Sequence, residues 1–216
     1  MIYLITSGQT TLETSPATED FSRILKLAEA AVGANVDLLQ IREKNLSAAV
    51  LYTLTASAAQ ITRGSNTKLL VNDRADVAAS AGADGVHLAT SSLSTGVVRS
   101  TFGDNFLIGV STHSMAEAVT ARAGRADFVV FGPVFATRDK EKYGEPQGLK
   151  QLETIASELA PFPVLALGGL TVERVSDCIH AGAQGVAAIR MLGDPAQLVR
   201  VVNEIRESFD PRNHTK

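Results

Sequence analysis

Ala81-Gly82-Ala83-Asp84-Gly85-Val86 is the phrase that decides the fold, because it returns almost unchanged as Ala181-Gly182-Ala183-Gln184-Gly185-Val186. Looser copies stand at Val32–Asp37 and Ala123–Phe128. Each copy ends a helical pattern with Gly and enters an apolar run at once. Gly favours a left-handed helix C-cap, and the small residues allow a tight turn from helix to strand. The phrase therefore predicts strand–helix units that are repeated along the chain.

Outward from this phrase, continuous apolar runs alternate with helical patterns along the chain. Continuous runs are typical of parallel strands that are covered on both faces. Eight are predicted as strands, at residues 2–6, 36–39, 68–73, 85–88, 106–112, 127–132, 163–169 and 185–190. The length of 216 residues suits one domain. We predict a single α/β domain, a (β/α)8 TIM barrel over residues 1–209, followed by a polar tail over 210–216. An open, doubly wound sheet is the alternative, but the repeated phrase favours closure.

The composition excludes several classes of function. The formal net charge is −3, so no basic field favours nucleic acid or an anionic membrane. Trp is absent and aromatic residues are 5%, which disfavours base stacking. The apolar run at the N-terminus is too short for a signal peptide and lacks the positive charge of one. No apolar run in the sequence approaches the length of a membrane-spanning helix. We expect a cytoplasmic protein. Cys178, the only cysteine, is interpreted as a buried structural thiol in a helix.

The stretch Gln40-Ile41-Arg42-Glu43-Lys44 closes the second predicted strand. Alternation along a strand sends Gln40, Arg42 and Lys44 to one face, and Ile41 and Glu43 to the other. Two cations on one face of a buried strand end indicate an anionic ligand opposite, because unpaired buried charge is costly. We interpret the stretch as a phosphate or diphosphate clamp. The alternative is a strand that runs into solvent, with Glu43 paired to Arg42 or Lys44.

Polar residues also follow other predicted strands, where the active site of a (β/α)8 barrel is formed. They are Asn72, Asp73 and Arg74 after strand three, Ser111, Thr112 and His113 after strand five, Gly168 and Gly169 after strand seven, and Arg190 after strand eight. The long loop 133–148 after strand six carries Lys140 and Lys142. Backbone N–H groups of a Gly-Gly pair can bind phosphate. We therefore predict a site for phosphorylated small molecules at this end of the barrel.

Several single residues have two open interpretations. Asp73 either binds Mg²⁺ beside a substrate phosphate or caps the following helix. His113 is either an acid/base or a hydrogen-bonded structural residue. Lys140 either closes over phosphates as part of a lid or is solvated. His87 lies within a strand and is predicted to pack in the core or on the barrel floor.

Six motifs occur in the order and spacing of a known family. They are Gln40–Lys44, Val71–Arg74, Gly85–Leu88, Gly109–Ser114, Gly132–Thr137 through Lys140, and Ala166–Gly169. On these motifs the chain resembles the thiamine-phosphate synthase/thiazole tautomerase family, over about residues 1–192. The resemblance implies a transferase of thiamine biosynthesis. In its reaction a hydroxymethylpyrimidine diphosphate loses diphosphate, and the nitrogen of a thiazole phosphate takes the pyrimidine to give thiamine phosphate.

The resemblance also implies residue roles. The pyrimidine diphosphate would be held by the stretch Gln40, Ile41, Arg42, Glu43 and Lys44 together with Asn72, Ser111 and Lys140. The thiazole phosphate would be surrounded by Thr137, Arg138, Asp139, Gly169, Ile189 and Arg190. Asp73 would bind Mg²⁺. The metal ion, Arg42, Lys44 and Lys140 would then stabilise the departing diphosphate, and no protein nucleophile is required.

Three residues depart from the family pattern. Ser92 stands where an Asp is expected as the second Mg²⁺ ligand, Asp139 where Ser or Thr is expected, and Arg190 where a Ser is expected. Two alternatives therefore stay open. One is a thiazole tautomerase, an isomerase that needs neither diphosphate nor Mg²⁺ and uses His113 as its acid/base. The other is a non-catalytic protein that binds a phosphorylated ligand. We also expect a homodimer.

Overall fold

A closed barrel of parallel strands forms the centre of the molecule. The computed structural model describes residues 1–137 and 145–209. Within these residues each of eight strands pairs with the next, and the last pairs with the first. The strands are β1 Ile2–Ile5, β2 Leu38–Ile41, β3 Lys68–Asn72, β4 Gly85–Leu88, β5 Leu107–Thr112, β6 Phe128–Phe131, β7 Val164–Leu167 and β8 Gly185–Ala188. The prediction of a (β/α)8 barrel is confirmed. The predicted tail over 210–216 lies outside the described residues.

A helix follows each strand in the described parts of the chain. The helices are α1 Glu19–Gly33, α2 Ala48–Thr62, α3 Ala75–Ala81, α4 Thr95–Phe102, α5 Met115–Ala123, α6 Gly148–Leu159, α7 Val172–His180 and α8 Leu198–Glu207. Side-chain caps begin two of them: the Ser47 hydroxyl accepts from Val50 N–H, and the Ser114 hydroxyl from Glu117 N–H. Within residues 1–137 and 145–209, every helix is too short or too polar to cross a bilayer.

Apolar side chains pack on both sides of the barrel wall, as continuous apolar strands require. The smaller core fills the barrel interior and consists of Tyr3, Ile5, Leu38, Leu70, Phe128, Val130, Leu165 and Ala187. The larger core lies between the strands and the surrounding helices. Cys178 belongs to this larger core, and burial raises the pKa of its thiol to about 12. Its interpretation as a buried structural thiol is confirmed.

The repeated phrase forms its helix-to-strand turns in two ways. Gly82 and Gly182 have φ of 79° and 85° and provide the predicted left-handed turn. The two looser copies differ, because Gly33 and Gly124 do not adopt positive φ. There the left-handed residues are Asn35 and Arg125, at φ 53° and 66°. The prediction that Gly supplies the turn in every copy is therefore wrong for these two.

The last polar residue of the phrase has a role that the sequence did not reveal. In each copy it lies just before an even-numbered strand and accepts a hydrogen bond from a backbone N–H of the first or second residue of the preceding strand. The pairs are Asp37 with Ile2 (2.6 Å), Asp84 with Leu69 (2.8 Å), Asp127 with Ile108 (2.6 Å) and Gln184 with Val164 (2.7 Å). The backbone N–H of each polar residue returns a bond to the carbonyl of the same partner. This exchange fixes the start of alternate strands all round the barrel.

Candidate active site

A cavity of about 470 Å³ opens at the carboxyl ends of the strands. Residues from the loops after most of the strands line it, as the fold predicts. The polar lining comprises Gln40, Arg42, Lys44, Asn72, His87, Thr90, Ser111, His113, Thr137, Thr171 and Arg190. Most of the predicted strand-end residues are thus brought together on one concave surface.

The stretch after β2 alternates between two faces as predicted. Gln40, Arg42 and Lys44 line the cavity, whereas Ile41 belongs to the core between barrel and helices. Glu43 is 4% exposed and also points away from the cavity. Ile41 and Glu43 were also predicted to contact the ligand. Their side chains do not line the cavity, because alternate side chains of a strand point to opposite faces.

Glu43 holds the loop that follows β1. Its carboxylate accepts hydrogen bonds from Gly8 N–H (3.1 Å), Thr10 N–H (3.3 Å) and the Thr10 hydroxyl (2.9 Å). The alternative in which Glu43 neutralises Arg42 or Lys44 is not observed among the ion pairs of the described residues. The two clamp cations thus remain directed to the cavity while their acidic neighbour organises the adjacent loop.

The floor of the cavity is polar. Gln40 Nε2 donates to Asn72 Oδ1 at 3.2 Å, and Gln40 itself is 1% exposed. Gln40 Oε1 is buried and has no hydrogen-bond partner within residues 1–137 and 145–209. A buried acceptor without a partner is costly, so this oxygen is available for a donor on a bound ligand.

His87 is buried beside this floor, which confirms its predicted place in the core. Its ring lies 5.6 Å from that of Tyr3, centroid to centroid, and its Nε2 is 2.8 Å from Ser111 Oγ. Burial is the main cause that lowers the His87 pKa from its ordinary value of 6.5 to about 4. The charge of Asp73 raises this pKa by a smaller amount, and the charge of Arg42 lowers it slightly further. The imidazole is therefore neutral near pH 7 and holds the Ser111 hydroxyl at the cavity wall.

The lowered pKa of His87 predicts a specific loss of stability in mild acid. Between about pH 6.5 and pH 4 the unfolded chain binds a proton at this histidine and the folded protein does not. The free energy of unfolding should therefore fall as the pH decreases through this window, by up to about 3 kcal/mol from this group. Urea unfolding at about pH 7 and about pH 4.5 measures it. The loss should be smaller in His87→Asn and unchanged in the exposed control His180→Asn; equal losses in all three proteins would contradict the assignment.

Asp73 lies at the rim, beside the cavity. It adopts φ 63°, a left-handed conformation that is uncommon for a residue other than Gly. Its carboxylate accepts hydrogen bonds from the Ser92 hydroxyl and from Asn72 Nδ2, the latter at 3.4 Å. Helix α3 has Arg74 at its N-cap position, without a side-chain cap bond. The interpretation of Asp73 as a helix cap is therefore wrong, and its oxygens are held at the rim instead.

The opposite wall of the cavity is formed by the loops after β6, β7 and β8. Thr137, Gly169, Ile189 and Arg190 all line it, as the resemblance implied. Gly168 and Gly169 have φ of 101° and 62°. The two loops are in close contact, because Phe135 N–H donates to Gly168 O at 3.1 Å.

Gly169→Ala is predicted to weaken ligand binding at this wall. A Cβ at Gly169 would lie 2.6 Å from Ala136 O and 2.8 Å from Phe135 Cβ, so the loop after β6 must move. We expect the dissociation constant for inorganic phosphate to rise by about tenfold or more, measured by calorimetry. Gly64→Ala is the matched control, since Gly64 also has positive φ but no atom within 4 Å of the added Cβ. It should cost about 1 kcal/mol of stability and leave phosphate affinity unchanged; an equal loss of affinity in both variants would point to backbone strain alone.

His113 is exposed at the mouth of the cavity. Its Nδ1 lies 2.5 Å from Gly132 O, and its backbone N–H donates to Glu117 Oε2 at 2.6 Å. A carbonyl can only accept, so Nδ1 carries a proton in this arrangement and Nε2 is the ring nitrogen that this bond does not use. The structure shows that the ring is hydrogen-bonded and lines the site, and the acid/base role of His113 stays a prediction.

Other predicted residues fall elsewhere. Arg138, Asp139 and Lys140, with the rest of the proposed lid over 138–144, lie outside the described residues. The cavity wall also has an apolar part that was not predicted from the sequence, and it includes Ile5, Leu167, Leu170 and Met191. Alternation along β1 and β7 could have indicated Ile5 and Leu167, because inward positions near the carboxyl end of a strand face the cavity.

The fold and the cavity together define a (β/α)8 protein of the enzymatic type, with a polar site at the carboxyl ends of its strands. A family model described as thiamine monophosphate synthase matches residues 2–192. The chain belongs to this family.

Relatives and solved structures agree with this assignment. A relative from Geobacter sulfurreducens is 42% identical over 173 residues, which are 80% of this chain and 81% of that protein. The thiamine-phosphate synthase of Methanoculleus marisnigri is 38% identical over 181 residues, 84% of this chain and 85% of its own. The solved structure of thiamine phosphate pyrophosphorylase from Pyrococcus furiosus aligns with a TM-score of 0.77 and 26% identity, over 96% of this chain and 94% of that one.

Proposed function

We propose that the protein is a transferase of thiamine biosynthesis that joins hydroxymethylpyrimidine diphosphate to thiazole phosphate. The bond between the pyrimidine methylene carbon and the diphosphate oxygen breaks, and the thiazole nitrogen donates its electron pair to that carbon. The products are thiamine phosphate and diphosphate. Family membership supports this reaction, and the arrangement of the cavity supplies its physical basis.

The observation that carries the proposal is that a polar cavity floor, formed by Gln40 and Asn72, lies next to a positively charged wall, formed by Arg42 and Lys44. Gln40 and Asn72 offer neutral amide groups to a heterocycle. Gln40 Oε1 is buried without a hydrogen-bond partner among the described residues, so it can accept a hydrogen bond from the ligand. Arg42 and Lys44 follow on the same strand face, where a diphosphate attached to that heterocycle would reach them. Positive charge at the leaving group stabilises the negative charge that develops there as the bond breaks.

The rim residues fit a magnesium ion. Asp73 offers a carboxylate and Ser92 a hydroxyl, both hard oxygen ligands, and Mg²⁺ commonly binds through one or two carboxylates together with substrate phosphates. When bound, the ion supplies further positive charge to the departing diphosphate. The carboxylate of Asp73 is held at the rim by its bonds to Ser92 and Asn72.

The direct test incubates the purified full-length protein with pyrimidine diphosphate, thiazole phosphate and Mg²⁺. Thiamine phosphate is then detected by fluorescence after oxidation. The proposal expects product that disappears with a chelator and with Lys44→Ala, but not with Arg122→Ala on the exposed surface of α5. Absence of product from protein with native circular dichroism would refute the synthase, and binding of both substrates without turnover would identify a non-catalytic binder.

The isomerase alternative is favoured by one observation, the position of the His113 ring at the cavity mouth with Nδ1 bonded to Gly132 O. An imidazole so placed could exchange a proton with a thiazole carboxylate phosphate through Nε2. Isomerisation of that compound without Mg²⁺, abolished in His113→Ala, would establish the alternative. The homodimer and the cytoplasmic location stay predictions, and light scattering of the purified protein tests the first.

A further inference from the structure

Arg174, in the first turn of α7, connects the two loops that form the cavity wall after β6 and β7. Its Nη1 donates to Gly169 O at 2.8 Å, and its guanidinium carbon lies 4.8 Å from the centroid of the Phe135 ring. A cation at this distance from an aromatic ring is attracted to the face of the ring. Gly169 lines the cavity, whereas Arg174 and Phe135 do not. Arg174 therefore contacts both loops from outside the cavity.

The two loops fit closely against each other at this point. Phe135 N–H donates to Gly168 O at 3.1 Å, and Val134 N–H donates to Leu167 O at 2.8 Å. The backbone of Phe135 is so near Gly169 that an added Cβ there would lie 2.8 Å from Phe135 O. A shift of one loop therefore moves the other, so a side chain that joins them fixes the position of the whole wall.

The bond to Gly169 O also sets the direction of the next backbone N–H. The peptide between Gly169 and Leu170 is trans, and in a trans peptide the carbonyl and the N–H point in opposite directions. Because Arg174 binds Gly169 O from outside the cavity, the Leu170 N–H is directed away from Arg174, and Leu170 lines the cavity. Within residues 1–137 and 145–209, the N–H groups of Gly169 and Leu170 donate no hydrogen bond to the backbone. Successive N–H groups of this kind can bind an anion.

We propose that Arg174 is a positioning residue that holds the Gly169–Leu170 peptide with its N–H toward the phosphate of the second substrate. The inference rests on the proposed function only in placing a phosphorylated ligand at this wall. Arg174 acts through backbone groups and does not contact the ligand. An arginine suits this role because its planar guanidinium can lie on a ring face while its edge donates to a carbonyl.

The first experiment follows phosphate binding at the wall itself by NMR. In isotope-labelled protein, the amide resonances of Gly169 and Leu170 should shift as inorganic phosphate is added, and their titration gives a dissociation constant for this wall alone. We expect this constant to rise by about tenfold in Arg174→Met. Arg174→Lys should recover only a small part of the loss, because an ammonium keeps the charge but not the planar contact. Arg122→Met, on the exposed surface of α5, is the control of equal charge change and should bind phosphate like the natural protein.

The contact with the Phe135 ring is tested in the same titration. Phe135→Leu should also weaken phosphate binding, and its loss should not add to that of Arg174→Met in the double variant, because both changes remove one shared contact. Additive losses would contradict the proposal. So would wall resonances that ignore phosphate, an unchanged constant in Arg174→Met, or full recovery in Arg174→Lys. An equal loss in Arg122→Met would show long-range attraction and would overturn it as well.

The second experiment separates positioning from folding. In the synthase assay Arg174→Met should raise the KM for thiazole phosphate by about tenfold, with the KM for pyrimidine diphosphate and the urea midpoint nearly unchanged. An equal rise of both KM values would overturn a role confined to this wall. The phosphate titration requires no turnover, so failure of the proposed reaction is distinguished from failure of the positioning role.

Discussion

Arg42→Ala is expected to weaken the binding of inorganic diphosphate by about 2–4 kcal/mol, roughly 30- to 900-fold in the dissociation constant. Arg42 is half-buried at the cavity wall. Its backbone N–H donates to Thr6 Oγ1 at 2.8 Å, and the loop after β1 passes so near that a Cβ at Gly8 would lie 3.3 Å from its Nη1. Arg42 is thus partly shielded from water, so its attraction to an anion is less screened than at an exposed site.

Calorimetric titration of diphosphate measures this effect, with Arg122→Ala as a surface control of equal charge change. The diphosphate affinity of Arg42→Lys should lie between those of Arg42→Ala and Arg122→Ala. An ammonium keeps the positive charge but lacks the planar guanidinium that binds two oxygens at once. If Arg42→Ala binds diphosphate as tightly as Arg122→Ala, the clamp hypothesis is wrong. A loss that vanishes in high salt would instead indicate long-range attraction rather than a desolvated contact.

Arg99→Ala is expected to lower the free energy of unfolding by about 3–5 kcal/mol. Arg99 is 5% exposed, and its guanidinium donates to the carbonyls of Gly103 (2.9 Å), Phe106 (2.6 Å) and Arg125 (2.9 Å). It also donates to Asp127 Oδ2 at 2.7 Å, the oxygen that accepts from the N–H of Ile108 in β5. Truncation leaves several carbonyls without a partner and removes the packed stem of the side chain.

Urea unfolding of the two proteins measures the difference, and Arg200→Ala provides the control. Arg200 pairs with Glu204 at 2.6 Å on the exposed face of α8, where such pairs contribute well under 1 kcal/mol. Similar midpoints for Arg99→Ala and Arg200→Ala would show that water replaces the buried bonds of Arg99. Arg99→Lys should recover only a small part of the loss, since a single ammonium cannot reach carbonyls on both sides.

Much of the barrel could be predicted from the sequence because its signals are local. Apolar runs, helix periodicity and caps such as Ser47 and Ser114 depend on residues within a few positions of one another. The same holds for the alternation of Gln40, Arg42 and Lys44, which follows from strand geometry alone. Once closure is inferred, the fold itself places strand-end residues such as Asn72 and Ser111 around one cavity.

What the sequence by itself determined is therefore the order of the elements, the closure of the barrel and the side of it that carries the polar groups. The tertiary structure decided the partners: Glu43 holds Thr10 rather than Arg42, Asp73 meets Ser92 rather than capping α3, and Arg99 joins two loops. These contacts connect residues 19 to 33 positions apart in the chain. The physical reason is that a hydrogen bond depends on where two groups finish in space, whereas a sequence pattern records only which residues are neighbours along the chain.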